Sequence, residues 1–381
     1  MKNIKIFVLL LLIMGIFAGC EENSFNLVNG PDSESLTKRG SNVHAVYTLS
    51  NSASGNEVIM YNRSGQGRLT YAGSFSTGGL GNGSGLGSQG ALFLHGDYIY
   101  AVNAGSNDVS VLSVGANGLS LVDTEPSGGT MPISVTAYGN LLYVLNAGGT
   151  GNITGFNINA DGTISEIPGS SKPLSNGAAG PAQVEFSPDG NILVVTEKAS
   201  NAISTYVVGS DGIAVGPTTQ PSAGQTPFGF AFDKRGHIIV SEAFGGGALA
   251  GAMSSYNVNV SGASLITGPV FNTQTAPCWV VVTKGGKFAY TTNTGTSNIS
   301  GYKIAADGSL TLFNDGGNTA LTGAGSSPID MAVSNDSQYL YALSKGTNTI
   351  SVFRIDNGQG GLTPIETISG LPGSVVGLAG N

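Results

Sequence analysis

Residues 181–212 read PAQVEFSPDGNILVVTEKASNAISTYVVGSDG, and the order of parts in this stretch decides the fold. An apolar segment opened by Pro181 runs into the tight turn Ser187-Pro188-Asp189-Gly190. A second apolar segment, ILVVTE from Ile192, follows, and a third, AISTYVV from Ala202, ends at Asp211-Gly212. Asp and Gly supply the dihedrals that tight turns need. Tyrosine and β-branched residues fit a pleated, half-buried surface. An Asp-Gly pair between alternating strands marks a hairpin. The unit is therefore a run of antiparallel strands, completed elsewhere by a weaker and more polar fourth, as in TISEIPG from Thr163 or SLTLFND from Ser309. Such a strand suits a partly solvated outer edge.

Working outward, the same unit recurs about every 48 residues, the sign of a repeat architecture. Pro132, Pro181, Pro227, Pro277, Pro328 and Pro372 take equivalent places, 49, 46, 50, 51 and 44 residues apart. Second strands read YIYAVN from Tyr98, LLYVLN from Leu141, IIVSE from Ile238, FAYTTN from Phe288 and YLYALS from Tyr339. Third strands read NITGFNI from Asn152, NISGYKI from Asn298 and TISVFRI from Thr349. Four antiparallel strands per period make a propeller blade. Six units open near Ala91, Ile133, Ala182, Phe228, Trp279 and Ile329, and an N-terminal piece begins directly at a second strand, HAVYTLS from His44. The missing first strand is supplied by LPGSVVGLAGN from Leu371, so the prediction is an all-β, seven-bladed propeller whose first blade is closed by the C-terminal strand. Pairing the two chain ends removes the free edges of an open array.

Composition agrees. The chain has 381 residues, 60 of them glycine, with only 10% charged, which fits turn-rich β-structure better than disorder. The formal charge is -8, and losing Lys2 and Lys5 with a leader would take it to -10. Such a surface argues against a phosphate backbone as partner, so no nucleic acid is expected. Lys2 and Lys5 precede an apolar run from Ile6 to Ile16, too short to span a bilayer comfortably, and Ala18 and Gly19 lead to Cys20. Phe17-Ala18-Gly19-Cys20 resembles a bacterial lipobox, with Cys20 as the lipidated residue. The organisation expected is a signal peptide over 1–20, a polar tether over 21–41 and the propeller over 42–381. The protein is thus expected to be exported and held at a membrane, periplasmic or at the cell surface, through its lipid alone, and to act as a monomer. The remaining cysteine, Cys278, starts an apolar strand beside Trp279 with no histidine near in sequence, and reads as a buried small hydrophobe.

First and third strands run one way and second and fourth the other, so the starts of first strands and ends of second strands share one face, the top. The second strands end at Ser50, Asn103, Asn146, Glu197, Glu242, Asn293 and Ser344. This ring is the candidate site, with two readings beside the plain one in which the groups close their strands on loop backbone. Glu197, Glu242, Asn146 and Asn293 could hold a hard cation such as Ca²⁺, which takes several oxygen ligands. Alternatively Asn103, Asn146 and Asn293 could hydrogen-bond a polyhydroxylated ligand, with Phe228 and Trp279 as apolar faces and Lys198 or Lys345 for an anionic group. Residues 85–90 match GxGxxG but lead into a strand, so they offer no helix N-terminus for phosphate. The glycine-rich stretch 77–88 reads as a mobile loop.

Three stretches, FSPDGNILVVTEKASNAISTY from Phe186, PFGFAFDKRGHIIVSEAF from Pro227 and APCWVVVTKGGKFAYTTNTGTSNISGY from Ala276, resemble the bacterial seven-bladed propeller lactonase family. That family includes 6-phosphogluconolactonase-like and carboxymuconate-cyclase-like propellers, and the likeness here is to its exported branch. The general repeat also resembles the YVTN-type surface propellers. The family resemblance implies hydrolysis of a lactone and histidine and arginine on the top face, with histidine after the strand-opening proline. Those positions here hold Ile133, Ala182, Phe228, Cys278, Ile329 and Gly373, while His44, His95 and His237, like Arg63, Arg68, Arg235 and Arg354, fall toward the bottom. A carboxylate mechanism is what the residues leave open, with Glu197 or Glu242 as general base on a lactone or sugar acid. The alternative is a non-catalytic module that presents the propeller to a surface protein or glycan.

Overall fold

The computed structural model describes residues 44–381, and the leader, lipobox and tether, Cys20 included, lie outside them. Seven antiparallel sheets surround a central channel. The innermost strands, in blade order from the first, are Val376–Gly380, Leu92–His95, Pro132–Tyr138, Pro181–Phe186, Pro227–Phe232, Pro277–Val282 and Pro328–Val333. The first blade is the composite one: Val376–Gly380 pairs with Ala45–Leu49, which pairs outward with Glu57–Arg63 and then Leu69–Ser76. Asp330 of blade 7 reaches across this seam to accept the Leu378 N–H at 3.1 Å, and the Thr48 hydroxyl donates to Gly377 O at 2.8 Å. The ring is therefore closed by backbone pairing and by side chains from both neighbours.

The outer strand is continuous in five blades but broken in blades 3 and 6, where Ile164–Glu166 and Lys172–Pro173, or Leu310–Leu312 and Ala320–Leu321, share the edge. Pro168 and the positive-φ Gly169 and Gly317 interrupt those ladders. The one helical turn among the described residues is Phe244–Gly246.

Blades pack through tyrosines of the second strands, Tyr47, Tyr100, Tyr143, Tyr290 and Tyr341, all fully buried. Three of them staple one blade to the next. Tyr143 Oη donates to Gly212 O (2.7 Å), Tyr290 Oη to Gly360 O (2.8 Å) and Tyr341 Oη to Gly67 O (3.4 Å). In each case the acceptor is the glycine of the turn before the next blade's outer strand. A side chain there would meet the residue two before the stapling tyrosine: a Cβ on Gly67 would lie 2.3 Å from Tyr339, one on Gly212 2.7 Å from Leu141 and one on Gly360 2.9 Å from Phe288.

Candidate functional site

The residues that end the second strands do form a ring at the top, and every one is buried to 2% exposure or less. Each is enclosed by its own blade and the adjoining loop. Glu197 accepts from Ser204 Oγ (2.8 Å), Ser175 N (3.1 Å), Ser200 Oγ (2.8 Å) and the Ser175 hydroxyl. Glu242 accepts from Ser222 Oγ, Gly224 N and Tyr256 Oη on one oxygen and from Ser254 Oγ on the other, at 2.8–3.1 Å. Asn103 takes hydrogen bonds from Asn56 and Thr77 and gives them to Asp108 and Ser110. Asn293 is held by Asn272, Asn298 and Ser300, and Asn146 donates to Ser127 O at 3.0 Å. Four donors saturate each carboxylate, so the geometry is that of strand closure, the structural use of such groups. Glu197 and Glu242 sit in separate nests, and among the described residues no three His, Cys, Asp or Glu side chains are grouped to hold a metal ion.

Residues 77–88, expected as a mobile loop, instead pack with Gln89 and Gly90 across the channel's top end. Lys198 donates to Gly87 O, Trp279 Nε1 to Ser88 O (2.8 Å), Ser88 Oγ to Ile133 O (2.8 Å) and Gln89 N to Ala182 O (3.0 Å). The Gln89 amide enters the channel, accepting from Val280 N at 2.9 Å and donating to Val280 O at 2.7 Å. Gln183 makes the same exchange with Phe230, accepting from its N–H (2.7 Å) and donating to its carbonyl (2.9 Å). Both backbone partners lie where a bulge, Pro227/Phe230 or Pro277/Val280, shifts the inner strand off its neighbour. Such bulges leave peptide groups unpaired, and a primary amide matches the freed N–H and C=O pair.

Below Gln89 the channel is open toward the other face. It encloses about 820 Å³ and runs down to the first-to-second-strand turns carrying Asp97, Lys234 and Lys284. Of the four acidic side chains that line it, Asp97 and Asp233 belong to the lower turns, and Glu185 and Asp330 to the innermost strands. Glu185, half-buried on the innermost strand of blade 4, accepts from Gln183 Nε2 at 2.8 Å. Burial pushes it up to about 8, and the opposing influences of the Lys284 charge and the Gln183 hydrogen bond do not restore its ordinary value. Asp330, 3% exposed, accepts from Met331 N and Leu378 N, and burial raises it well above the usual carboxylate range. The channel thus offers carboxyls raised by burial in its depth and lysines at its mouth.

These channel residues were not singled out from sequence. Past the bulge that follows the strand-opening proline, the residues two and four places on from it share one direction. Those places hold Gln183 and Glu185 in blade 4, and Asp330 stands at the first of them in blade 7; polar groups in an apolar innermost strand are the signal. The histidines lie where expected: His44 contacts Arg63 (3.0 Å), His95 meets Gly139 O (3.0 Å) and His237 pairs with Asp233 (3.0 Å). None lines the channel. Cys278 is buried, and its thiol is pushed up to about 12 by that burial.

The profile of a family described as "Lactonase, 7-bladed beta-propeller" matches residues 150–243 and 260–376, more than half of the chain. No protein of curated function matches the sequence. Similar solved structures include a protein from Lactobacillus plantarum (16% identity, TM-score 0.71, covering 89% of this chain and 99% of that one). Others are a periplasmic gluconolactonase of Pseudomonas aeruginosa (15%, 0.68, 88% and 98%) and a candidate 6-phosphogluconolactonase of Bacteroides fragilis (20%, 0.67, 89% and 98%). At these identities the likeness is one of fold.

Proposed function

Because the chain belongs to the seven-bladed β-propeller lactonase family, we propose that it is an exported, lipid-anchored member that takes a lactone or the corresponding sugar acid into its central channel. Entry is from the face of the first-to-second-strand turns. The observation that carries this reading is Glu185, a carboxyl displaced to about 8, set with Gln183 and Lys284 in a cavity of about 820 Å³. Perturbed carboxyls in clefts are where acid–base chemistry is done. Lys284 attracts the carboxylate of a sugar acid or the carbonyl oxygen of a lactone. Ionised Glu185 takes a proton from water as the water oxygen bonds to the lactone carbonyl carbon. The acyl–oxygen ring bond then breaks, and the proton returns to the departing alkoxide, leaving a hydroxy acid.

The names borne by the structural neighbours make D-glucono-1,5-lactone the first compound to test. Hydrolysis above the spontaneous rate, lost in Glu185→Gln and weakened in KM by Lys284→Met, supports the proposal. Activity retained in Glu185→Gln but lost in a folded Glu197→Gln variant returns the chemistry to the top ring. The non-catalytic reading is favoured by one observation, that no histidine lines the channel. It is the outcome if gluconate binds and no lactone is turned over.

A further inference from the structure

The strap over the channel's top covers a lysine that has no carboxylate partner among the described residues. Lys198 is part-buried with its ammonium 4.6 Å above the Phe228 ring, and its one hydrogen-bond acceptor is the carbonyl of Gly87. The Phe228 and Trp279 rings lie 4.9 Å apart, tilted by 53°, and the Trp279 indole N–H is spent on Ser88 O. Burial lowers the lysine to about 8, and the opposing influence of neighbouring Cys278 does not restore its ordinary value. A carboxylate in place of that carbonyl would keep the charge-assisted bond and add an ion pair to it. The strap itself is built to pass between cations. A Cβ on Gly85 would come within 3.0 Å of Lys345 Nζ and one on Gly87 within 3.4 Å of Lys198 Nζ. Glycine recovers more backbone freedom on release than any other residue, which makes such a strap a displaceable occupant.

We propose that residues 84–89 are an internal occupant of a ligand site on the top of the propeller, and that the ligand which displaces them is a carboxylate bearing an aromatic ring. The carboxylate replaces Gly87 O on Lys198, and the ring replaces the Ser88 backbone beside Phe228 and Trp279. This site is separate from the channel reading above, since its residues face the opposite end of the propeller. The strap weakens the ligand's apparent affinity by the fraction of time it is open, so loosening it tightens binding.

Trp279 is the protein's sole tryptophan, so its emission reports the strap directly. Phenylacetate titrated into the full chain should change that emission saturably, and phenylacetamide should not. Gln89→Ala removes the strap's side-chain bonds to blades 5 and 6 and should raise phenylacetate affinity tenfold or more, while Lys198→Met should abolish it. If Gln89→Ala does not fold, Ser88→Ala, which loses only the bond to Ile133 O, serves the same purpose. The proposal is overturned by a folded strap variant in which phenylacetate at millimolar concentration leaves Trp279 unchanged. An equal response to phenylacetamide, or a response that survives Lys198→Met, overturns it as well.

Discussion

Replacing Glu185 by glutamine should abolish a pH-dependent strain on the fold. In the folded protein this carboxyl keeps its proton up to about 8, whereas in the unfolded chain it ionises near 4.5. Between those values the folded state binds more protons than the unfolded state, so stability falls as pH rises. At about 1.4 kcal/mol per pKa unit the full displacement has a ceiling of about 5 kcal/mol. Glu185 faces a water-accessible channel, and solvent relaxation there brings the expected loss down to ~1–3 kcal/mol. The amide matches the protonated acid in shape and keeps an oxygen for the Gln183 N–H, so Glu185→Gln should equal the native protein near pH 4.5. By pH 9 it should be the more stable by ~1–3 kcal/mol. Urea unfolding at pH 5, 7 and 9 reads the difference, and a carbon NMR titration of the side chain reads the group itself. Parallel stability profiles for the two proteins, or a carboxyl that titrates near 4.5, would refute the reasoning.

The tyrosine staples make a matched comparison. Tyr143→Phe orphans both Gly212 O and the Ala214 N–H that donates to Oη at 2.9 Å, and should cost ~1–3 kcal/mol in chemical denaturation. Tyr47→Phe and Tyr100→Phe remove buried hydroxyls that have no hydrogen-bond partner among the described residues, so they should leave stability unchanged or raise it. Glu242→Gln replaces an oxygen that accepts buried hydrogen bonds with a donor, and should lower unfolding free energy by ~2–4 kcal/mol without changing turnover per folded molecule. Iodoacetamide at pH 8 should leave Cys278 unmodified in the native protein and label it after denaturation, by mass spectrometry, because the thiolate is the nucleophile and this thiol lies near 12.

The blades were legible because each is specified locally. Pro181, the Ser187-Pro188-Asp189-Gly190 turn, the Ile192 strand and Asp211-Gly212 fall in one short window, and the closure follows from counting strands at the two ends. Orientation at the site was less legible. That Glu197 and Glu242 end second strands is a property of their own repeat. That they turn into hydrogen-bond nests depends on Ser175, and on Ser222 and Gly224, from the loops that lead out of each preceding blade, which no spacing reveals. The strap was read as mobile from its glycines. Its order comes from partners far away in the chain, Ile133, Ala182, Lys198 and Trp279 among them. Glu185 and Asp330 were overlooked because a single polar residue in an apolar run resembles noise until the period-two direction of the strand is applied.

The most direct test of the account is where a sugar acid sits. A crystal of the protein soaked in gluconate should show the ligand inside the central channel, with its carboxylate toward Lys284 and hydroxyls on Glu185 and Gln183. Gluconate bound instead among Glu197, Glu242 and Asn293 at the top, with the channel left to solvent, would contradict it.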